Sequence, residues 1–368
     1  MRVAFISAVF PPTQGGMCTV AGAEARAMSR SGTHQIEIFT LQTDDSRQNL
    51  VIDRSCDAPV IRLRGFPRIS LSGFVPQLLW KLRTCDVVYA HLPAYGFMEV
   101  LILWKIFTRR RLVVTLHMDP VGTGFFKYIF KIERIVLRAL LRVADRIRVS
   151  TQNFSREKIF KNIKREKISI IPFGIDLKRF YPAAKPTNKN IFLFVGRLSR
   201  THYFKGVELL LRAFHVIVQK NFDAELWIVG DGDERAQYER ITEKLHISKK
   251  VRFFGAVSDD ALPEIYRQAR VMVLPSTDSS ETFGLVLLEA MASGVPVIAS
   301  DVPGVDQLVV RDVVGKLIDP GNEQELVDAL VDACTFPEEW SHRAIAARRH
   351  AEQFGDWTTI ASRVSDLL

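Results

Sequence analysis

The chain has 368 residues, 47% hydrophobic and 25% charged, with a net charge of +9. That is ordinary globular composition, long enough for two domains with a core each, and it excludes a solenoid repeat or a low-complexity tract. Four widely spaced cysteines, Cys18, Cys56, Cys85 and Cys334, form no C-x-x-C pair, which excludes a cysteine-built zinc site and a disulfide framework and fits a reducing cytosol.

The charge is unequally shared. Residues 1–185 hold 30 Lys/Arg against 14 Asp/Glu, a surplus of +16, and the remainder 20 against 27, or −7. An excess of this size suggests that the first half faces something anionic, a membrane surface or a nucleic acid. No RNA- or DNA-binding motif accompanies it.

Taken in chain order, M-R-V-A-F-I-S-A-V-F is too short for a signal segment with its cleavage site and is expected to be a first buried strand, Arg2 to Ser7. The run P-P-T-Q-G-G-M follows it, where Gly15 and Gly16 would let backbone approach an anion at the start of a helix. Further strands of the first half are expected over 36–40, 86–90, 112–116, 146–149 and 168–171. His117 ends R-L-V-V-T-L-H and His91 ends D-V-V-Y-A-H, so each ring should emerge at the carboxyl edge of the sheet, where α/β proteins place ligands. The longest other apolar run, Val100 to Trp104, falls far short of the roughly 20 residues that span a membrane. From Phe125 to Arg148 the spacing predicts an amphipathic helix with Lys127, Lys131, Arg134, Arg138 and Arg142 in one stripe, near Arg109, Arg110 and Arg111. Two readings of that stripe stand: an interfacial patch on a membrane, or a packed helix with a solvated basic face.

Prolines and polar residues from Phe180 to Asn190 interrupt both periodicities and mark a linker. Second-half strands are expected over 191–195, 225–229, 251–254, 271–274, 295–299 and 315–318. At the exit of the first of these, V-G-R-L-S-R-T-H-Y-F-K-G carries Arg197 and Lys205 beside glycines; a guanidinium plus an ammonium suits a diphosphate when no metal is supplied. G-D-G at Gly230 to Gly232 lacks the third glycine of a dinucleotide fingerprint. The close carboxylate pairs Asp44–Asp45 and Asp231/Asp233 are expected to serve turns rather than a metal.

The most informative segment is P-S-T-D-S-S-E-T-F-G-L-V-L-L-E-A-M-A-S-G-V-P-V-I, in which Glu281 and Glu289 have seven residues between them. After a strand ending at Leu274, Gly284 to Ala292 is expected to be a helix whose first N–H groups, those of Phe283, Gly284 and Leu285, stand open to an anion. Glu281 sits just before that turn and Glu289 between one and two turns inside it, so the two carboxylates can grip different parts of one extended ligand rich in hydroxyls. The competing reading makes Glu281 a helix cap and Glu289 a solvated residue; Glu289 stands in an otherwise apolar stripe, where an unpaired charge is costly.

Together these segments resemble the family-four retaining glycosyltransferases of GT-B architecture. The resemblance rests on P-P-T-Q-G-G, T-L-H at His117, I-P-F-G-I-D, V-G-R-L with K-G, V-G-D-G, F-F-G-A-V-S and E-x7-E, in that order. It implies an α/β fold of two doubly wound Rossmann-like domains facing a central cleft: an acceptor-binding domain over 1–183, with a C-terminal helix in 350–368 packing back on it, and a nucleotide-sugar-binding domain over 184–349. It further implies a GDP- or UDP-linked hexose donor, with no metal or other cofactor. Arg197, Lys205 and the N–H of Gly16 would meet the diphosphate, Glu289 the ribose, Val257 the region of the base, and Glu281 with Phe283, Gly284 and Leu285 the donor sugar. His117 and Glu281 would be the catalytic groups, His117 stabilising developing oxocarbenium character. The expected acceptor is a lipid-linked or cell-envelope glycan, with a cytoplasmic enzyme at the inner membrane face; a soluble acceptor, a nucleotide-sugar epimerase and a non-catalytic nucleotide-binding module are the alternatives. In this chain T-H-Y-F precedes Lys205, a longer spacing from Arg197 than many relatives have.

Overall fold

The computed structural model describes the backbone of residues 1–13, 15–42, 50–53, 57–66, 68–69, 72–118, 126–184, 187, 189–305 and 307–368. Gln14, Asp44, Asp45, Cys56, Phe125, Lys185 and the side chain of Lys127 lie outside the described residues.

The chain divides into two compact units, Met1–Gly174 with Trp357–Leu368, and Ile175–Asp356. The first comprises β1 (Arg2–Ser7), α1 (Gly16–Arg30), β2 (Gln35–Leu41), β3 (Leu50–Asp53), β4 (Ala58–Leu63), the short pair β5 (Arg68–Ile69) and β6 (Ser72–Gly73), α2 (Leu78–Lys81), β7 (Val87–Leu92), α3 (Met98–Thr108), β8 (Arg111–Leu116), α4 (Phe126–Val143), β9 (Arg146–Val149) and β10 (Ile168–Ile170). Its main sheet runs β10-β9-β8-β7-β1-β2-β4-β3, parallel except where β3 meets β4. Both faces are covered, and the side-chain period of two is visible in β1: Val3 and Phe5 enter one core, Ala4 and Ile6 the other.

The second unit comprises β11 (Asn190–Val195), α5 (Val207–Gln219), β12 (Ala224–Val229), α6 (Arg235–Lys244), β13 (Val251–Gly255), α7 (Leu262–Gln268), β14 (Val271–Leu274), α8 (Leu285–Ala292), β15 (Val297–Ser300), β16 (Gly315–Ile318), α9 (Glu323–Thr335) and α10 (Pro337–Phe354). Its parallel sheet runs β13-β12-β11-β14-β15-β16. The strand order reverses between β11 and β14, so the loops leaving those two strands flank the crevice where doubly wound sheets take ligands. Each unit is thus a doubly wound α/β layer structure.

Several boundaries differ from the sequence expectation. The units part after Gly174, not at 183/184. Ile175 N–H donates to Gly355 O at 3.2 Å, and Arg348 Nη1 donates to Phe180 O and Ala292 O, which ties 175–180 into the second unit. The stretch 350–368 is not one helix: α10 ends at Phe354, and a separate α11 (Trp357–Ser365) belongs to the first unit, where Ile360, Ala361 and Val364 share the core of Phe5. The strand expected from Val295 begins at Val297, because Val295 N–H still closes the end of α8 on Ala290 O and Pro296 has no N–H to give. Strands β3 and β4 were not anticipated; Pro59 within A-P-V-I-R-L argues against a strand unless it lies near a sheet edge, as it does here.

Candidate active site

In the second unit, the loop after β11 and the loop after β14 are fastened together. Gly206 adopts φ +70° and a Cβ there would stand 2.0 Å from Pro275 O, so only glycine allows this approach. Thr277 N–H donates to Phe204 O at 2.7 Å, and Tyr203 Oη to Asp278 Oδ2 at 3.2 Å. The longer T-H-Y-F segment is therefore the strap that docks one loop on the other. It delivers Lys205 Nζ to Glu281 Oε2 at 2.7 Å, with side chains 14% and 12% exposed. Such a shielded pair holds its geometry far better than a surface ion pair. The Lys205 stem passes Gly196, where a Cβ would meet its Cδ at 2.9 Å. Arg197 is exposed beside it. Burial pushes the His202 imidazole down to about 4, helped by Lys205 and Arg197.

Glu281 also accepts from the N–H of Gly284 at 3.2 Å. Of the three N–H groups expected to stand open, that of Gly284 is therefore taken inside the loop, because Glu281 reaches back over the turn as a cap does. Gly284, at φ +74°, is the residue before α8, and the helix starts at Leu285. Phe283 is buried edge-on against Phe354, while Leu285 is half-buried. Val257 is half-buried just past β13.

Glu289 is not a solvated residue. It is 7% exposed on α8, and Tyr266 Oη donates to its Oε2 at 2.9 Å. Burial pushes its carboxyl up to about 7, against the opposing pull of that hydrogen bond and of the Arg179 guanidinium. Burial and the nearby carboxylate raise the Tyr266 phenol well above its ordinary value, so Tyr266 remains a donor. Tyr266 and Arg179 were not singled out from sequence: L-P-E-I-Y-R shows only helical periodicity, and nothing local marks its tyrosine as the partner of a residue 23 positions on. Asp231 serves the turn, accepting from the N–H of Gly232, whereas Asp233, also expected to serve its turn, instead accepts from the N–H of Arg200 on the loop after β11. Among the described residues no group of three or more His, Cys, Asp or Glu is placed to hold a metal ion.

In the first unit, Gly16 opens α1 and is exposed, with nothing within 4 Å of a would-be Cβ. His117 directly follows β8 and is buried. His91 lies inside β7 rather than at its end, fully buried, and its Nδ1 is 2.9 Å from His117 Nε2. Phe173, from the I-P-F-G-I-D segment, stacks on His117 at 5.2 Å. Beneath the pair, buried Arg148 on β9 bonds to Glu24 Oε2 at 2.6 Å and to Tyr89 Oη at 3.1 Å, and ties Ile171 O and Pro172 O. Tyr89 Oη also donates to Glu24 Oε1 and contacts Thr115 Oγ1. Burial, with Arg148 adding, holds both imidazoles well below the ordinary histidine range. The Arg148–Glu24 pair was missed in the sequence, although an acid inside A-G-A-E-A-R-A and an arginine inside R-I-R-V are the kind of buried-charge anomaly that could have signalled it.

Comparison with known proteins agrees with this architecture. The Glycosyltransferase Family 4 profile matches residues 14–179, and that of Glycosyl transferases group 1 matches residues 178–350. D-inositol 3-phosphate glycosyltransferase of Corynebacterium glutamicum is 26% identical over 413 aligned positions, covering 100% of this chain and 96% of the relative. Among solved structures, sucrose-phosphate synthase of Thermosynechococcus elongatus superposes with a TM-score of 0.84 at 23% identity, covering 100% and 98% of the two chains. Anabaena HepE in complex with UDP-glucose gives 0.77 at 19% identity, covering 100% and 98%. At these identities the two structural likenesses speak to fold alone.

Proposed function

Because the chain belongs to the GT-B glycosyltransferases, with a family-four first half and a group 1 second half, we propose that it moves a hexose from a nucleotide-diphosphate sugar, with retention of configuration and without a metal. The observation that carries the reading is the placement of Arg197 and the Lys205–Glu281 pair on the loops that leave β11 and β14, at the reversal of strand order, with buried Glu289 on α8, the helix that follows the second loop. Arg197 and Lys205 supply the positive charge a diphosphate leaving group requires. Glu289, protonated in part when empty, becomes the acceptor for the paired ribose hydroxyls. Glu281 orients the sugar, Val257 lies by the base, and the N–H groups of Gly16, Phe283 and Leu285 add anion contacts. His117 positions the transferred sugar through a hydrogen bond. A diphosphate oxygen takes the acceptor proton, so no protein nucleophile is needed.

Mannose or glucose, carried on GDP or UDP, is the donor class we favour; Anabaena HepE was solved with UDP-glucose. For the acceptor we favour a lipid-linked or envelope glycan at a membrane face. Supporting this, exposed Leu103, Ile106 and Phe107 on α3 and Ile132 and Ile135 on the adjacent α4 are accompanied by exposed Lys131 and Arg142, an apolar and basic combination suited to an anionic bilayer. No described helix is long and apolar enough to cross a membrane. A soluble acceptor is the second reading, favoured by the corynebacterial relative, which is named for inositol 3-phosphate.

The test is nucleoside diphosphate release from a panel of UDP- and GDP-hexoses in the presence of a chelator, with the anomeric configuration of the product read by NMR. Release that requires an acceptor and gives a retained linkage supports the proposal. Isomerised donor without any acceptor would replace it with an epimerase.

A further inference from the structure

The buried histidine pair holds one proton between two rings, and its surroundings decide whose proton it is. His91 Nδ1 and His117 Nε2 are 2.9 Å apart, a hydrogen bond that needs a donor on one side and a lone pair on the other. Were His117 the donor, neutral His91 would carry its own proton on Nε2, a buried atom with no hydrogen-bond partner among the described residues. That would be an orphaned N–H in the positive field of Arg148. With His91 as donor, Nε2 is only a bare lone pair, which the same field favours. Phe5 and Tyr89 flank the His91 ring at 4.7 and 5.1 Å, and Phe173 stacks on His117, so both rings are packed against aromatic neighbours. The charged and titratable groups around the pair are Arg148 from β9, Glu24 from α1 and Tyr89 from β7; β8 contributes Thr115.

We propose that His91 is a positioning residue for His117: its Nδ1–H donates to His117 Nε2 and holds His117 as the neutral tautomer protonated at Nδ1. The functional consequence rests on the reading of His117 as the group that meets the transferred sugar. A neutral imidazole with a fixed N–H can donate to that sugar without placing a full positive charge beside an oxocarbenium centre. Arg148, held in place by Glu24, whose charge offsets its field only in part at the pair, enforces the arrangement.

The test is long-range proton–nitrogen NMR of the full chain with nitrogen-labelled histidine, His117→Ala serving to assign the signals. The wild type should show His117 protonated at Nδ1 and bare at Nε2 from about pH 6 to 9. In His91→Leu, His117 should exchange between tautomers and titrate nearer the ordinary histidine range. Its kcat should fall about tenfold with the donor KM little changed, and the rate should acquire a new acid limb. His91→Asn, whose amide can place an N–H where Nδ1 stood, should restore both the tautomer and most of the rate. His117 protonated at Nε2 in the wild type, or an unaltered tautomer in His91→Leu, overturns the proposal. A His117→Ala variant that transfers at the wild-type rate would instead remove His117 from the reaction while leaving the tautomer assignment intact.

Discussion

Replacing Glu289 by Gln should make the empty protein more stable and the enzyme worse. The carboxyl has an ordinary value of 4.5 and is pushed up to about 7 by burial. An acid whose folded value is raised leaves stability untouched below its unfolded value, where both states are protonated, and costs stability as pH rises toward and past the folded value. The penalty for ionised Glu289 is under about 1 kcal/mol at pH 5 and about 3 kcal/mol at pH 8, at 1.36 kcal/mol per unit. Gln keeps a carbonyl oxygen to accept from Tyr266 Oη and cannot ionise. Denaturant unfolding should therefore show a gain of up to about 3 kcal/mol at pH 8 that shrinks to less than about 1 kcal/mol at pH 5. Calorimetry of donor binding in two buffers should show the wild type releasing about half a proton near pH 7, as bound hydroxyls draw the group to its ionised form. The variant should release none and bind more weakly. A Gln variant equally destabilised at both pH values, or donor binding with no proton release, would mean that Glu289 is not held partly protonated in the empty site.

Arg148→Met should cost about 3–5 kcal/mol in unfolding free energy, because Glu24 is left buried and unpaired, whereas Arg148→Met with Glu24→Leu should recover much of the loss. Gly206→Ala should destabilise by more than about 1 kcal/mol, since the φ of +70° and the 2.0 Å approach to Pro275 O admit no side chain; it should also weaken nucleotide binding through the displaced strap. Lys205→Met should lower nucleoside diphosphate affinity by about tenfold or more in titration calorimetry, consistent with roughly 1.5–3 kcal/mol for a charge-assisted hydrogen bond. The thermal stability of that variant should be partly rescued by Glu281→Gln, which removes the carboxylate left without its partner.

Much of this architecture was legible because parallel strands buried on both faces are near-continuous apolar runs, such as V-M-V-L in β14. The motif residues follow strands and so land at the carboxyl edge without any further information, as Arg197, Glu281 and His117 do after β11, β14 and β8. What stayed hidden depended on partners far apart in sequence. The Tyr266–Glu289 bond, the Lys205–Glu281 pair and the Arg148–Glu24–Tyr89 network each join elements whose proximity only the sheet order creates. Local periodicity cannot report such pairings, just as it could not place Pro59 in a strand near the sheet edge. The capping of α8 was misjudged for a related reason: the N–H of Gly284 was counted as open to ligand because Glu281 was assigned wholly to the sugar, whereas its Oε1 turns back on the chain.

If the second unit holds a nucleotide sugar through Glu289, removing that carboxylate should abolish donor binding. The direct measurement is thermal unfolding of wild type and Glu289→Ala with a panel of UDP-, GDP- and ADP-sugars, each with chelator present. A ligand at 100 times its dissociation constant stabilises by about 2.7 kcal/mol. A selective rise with one nucleotide class, abolished by the substitution, is the expected result. A rise that survives in Glu289→Ala, or no rise with any of the donors, would contradict it.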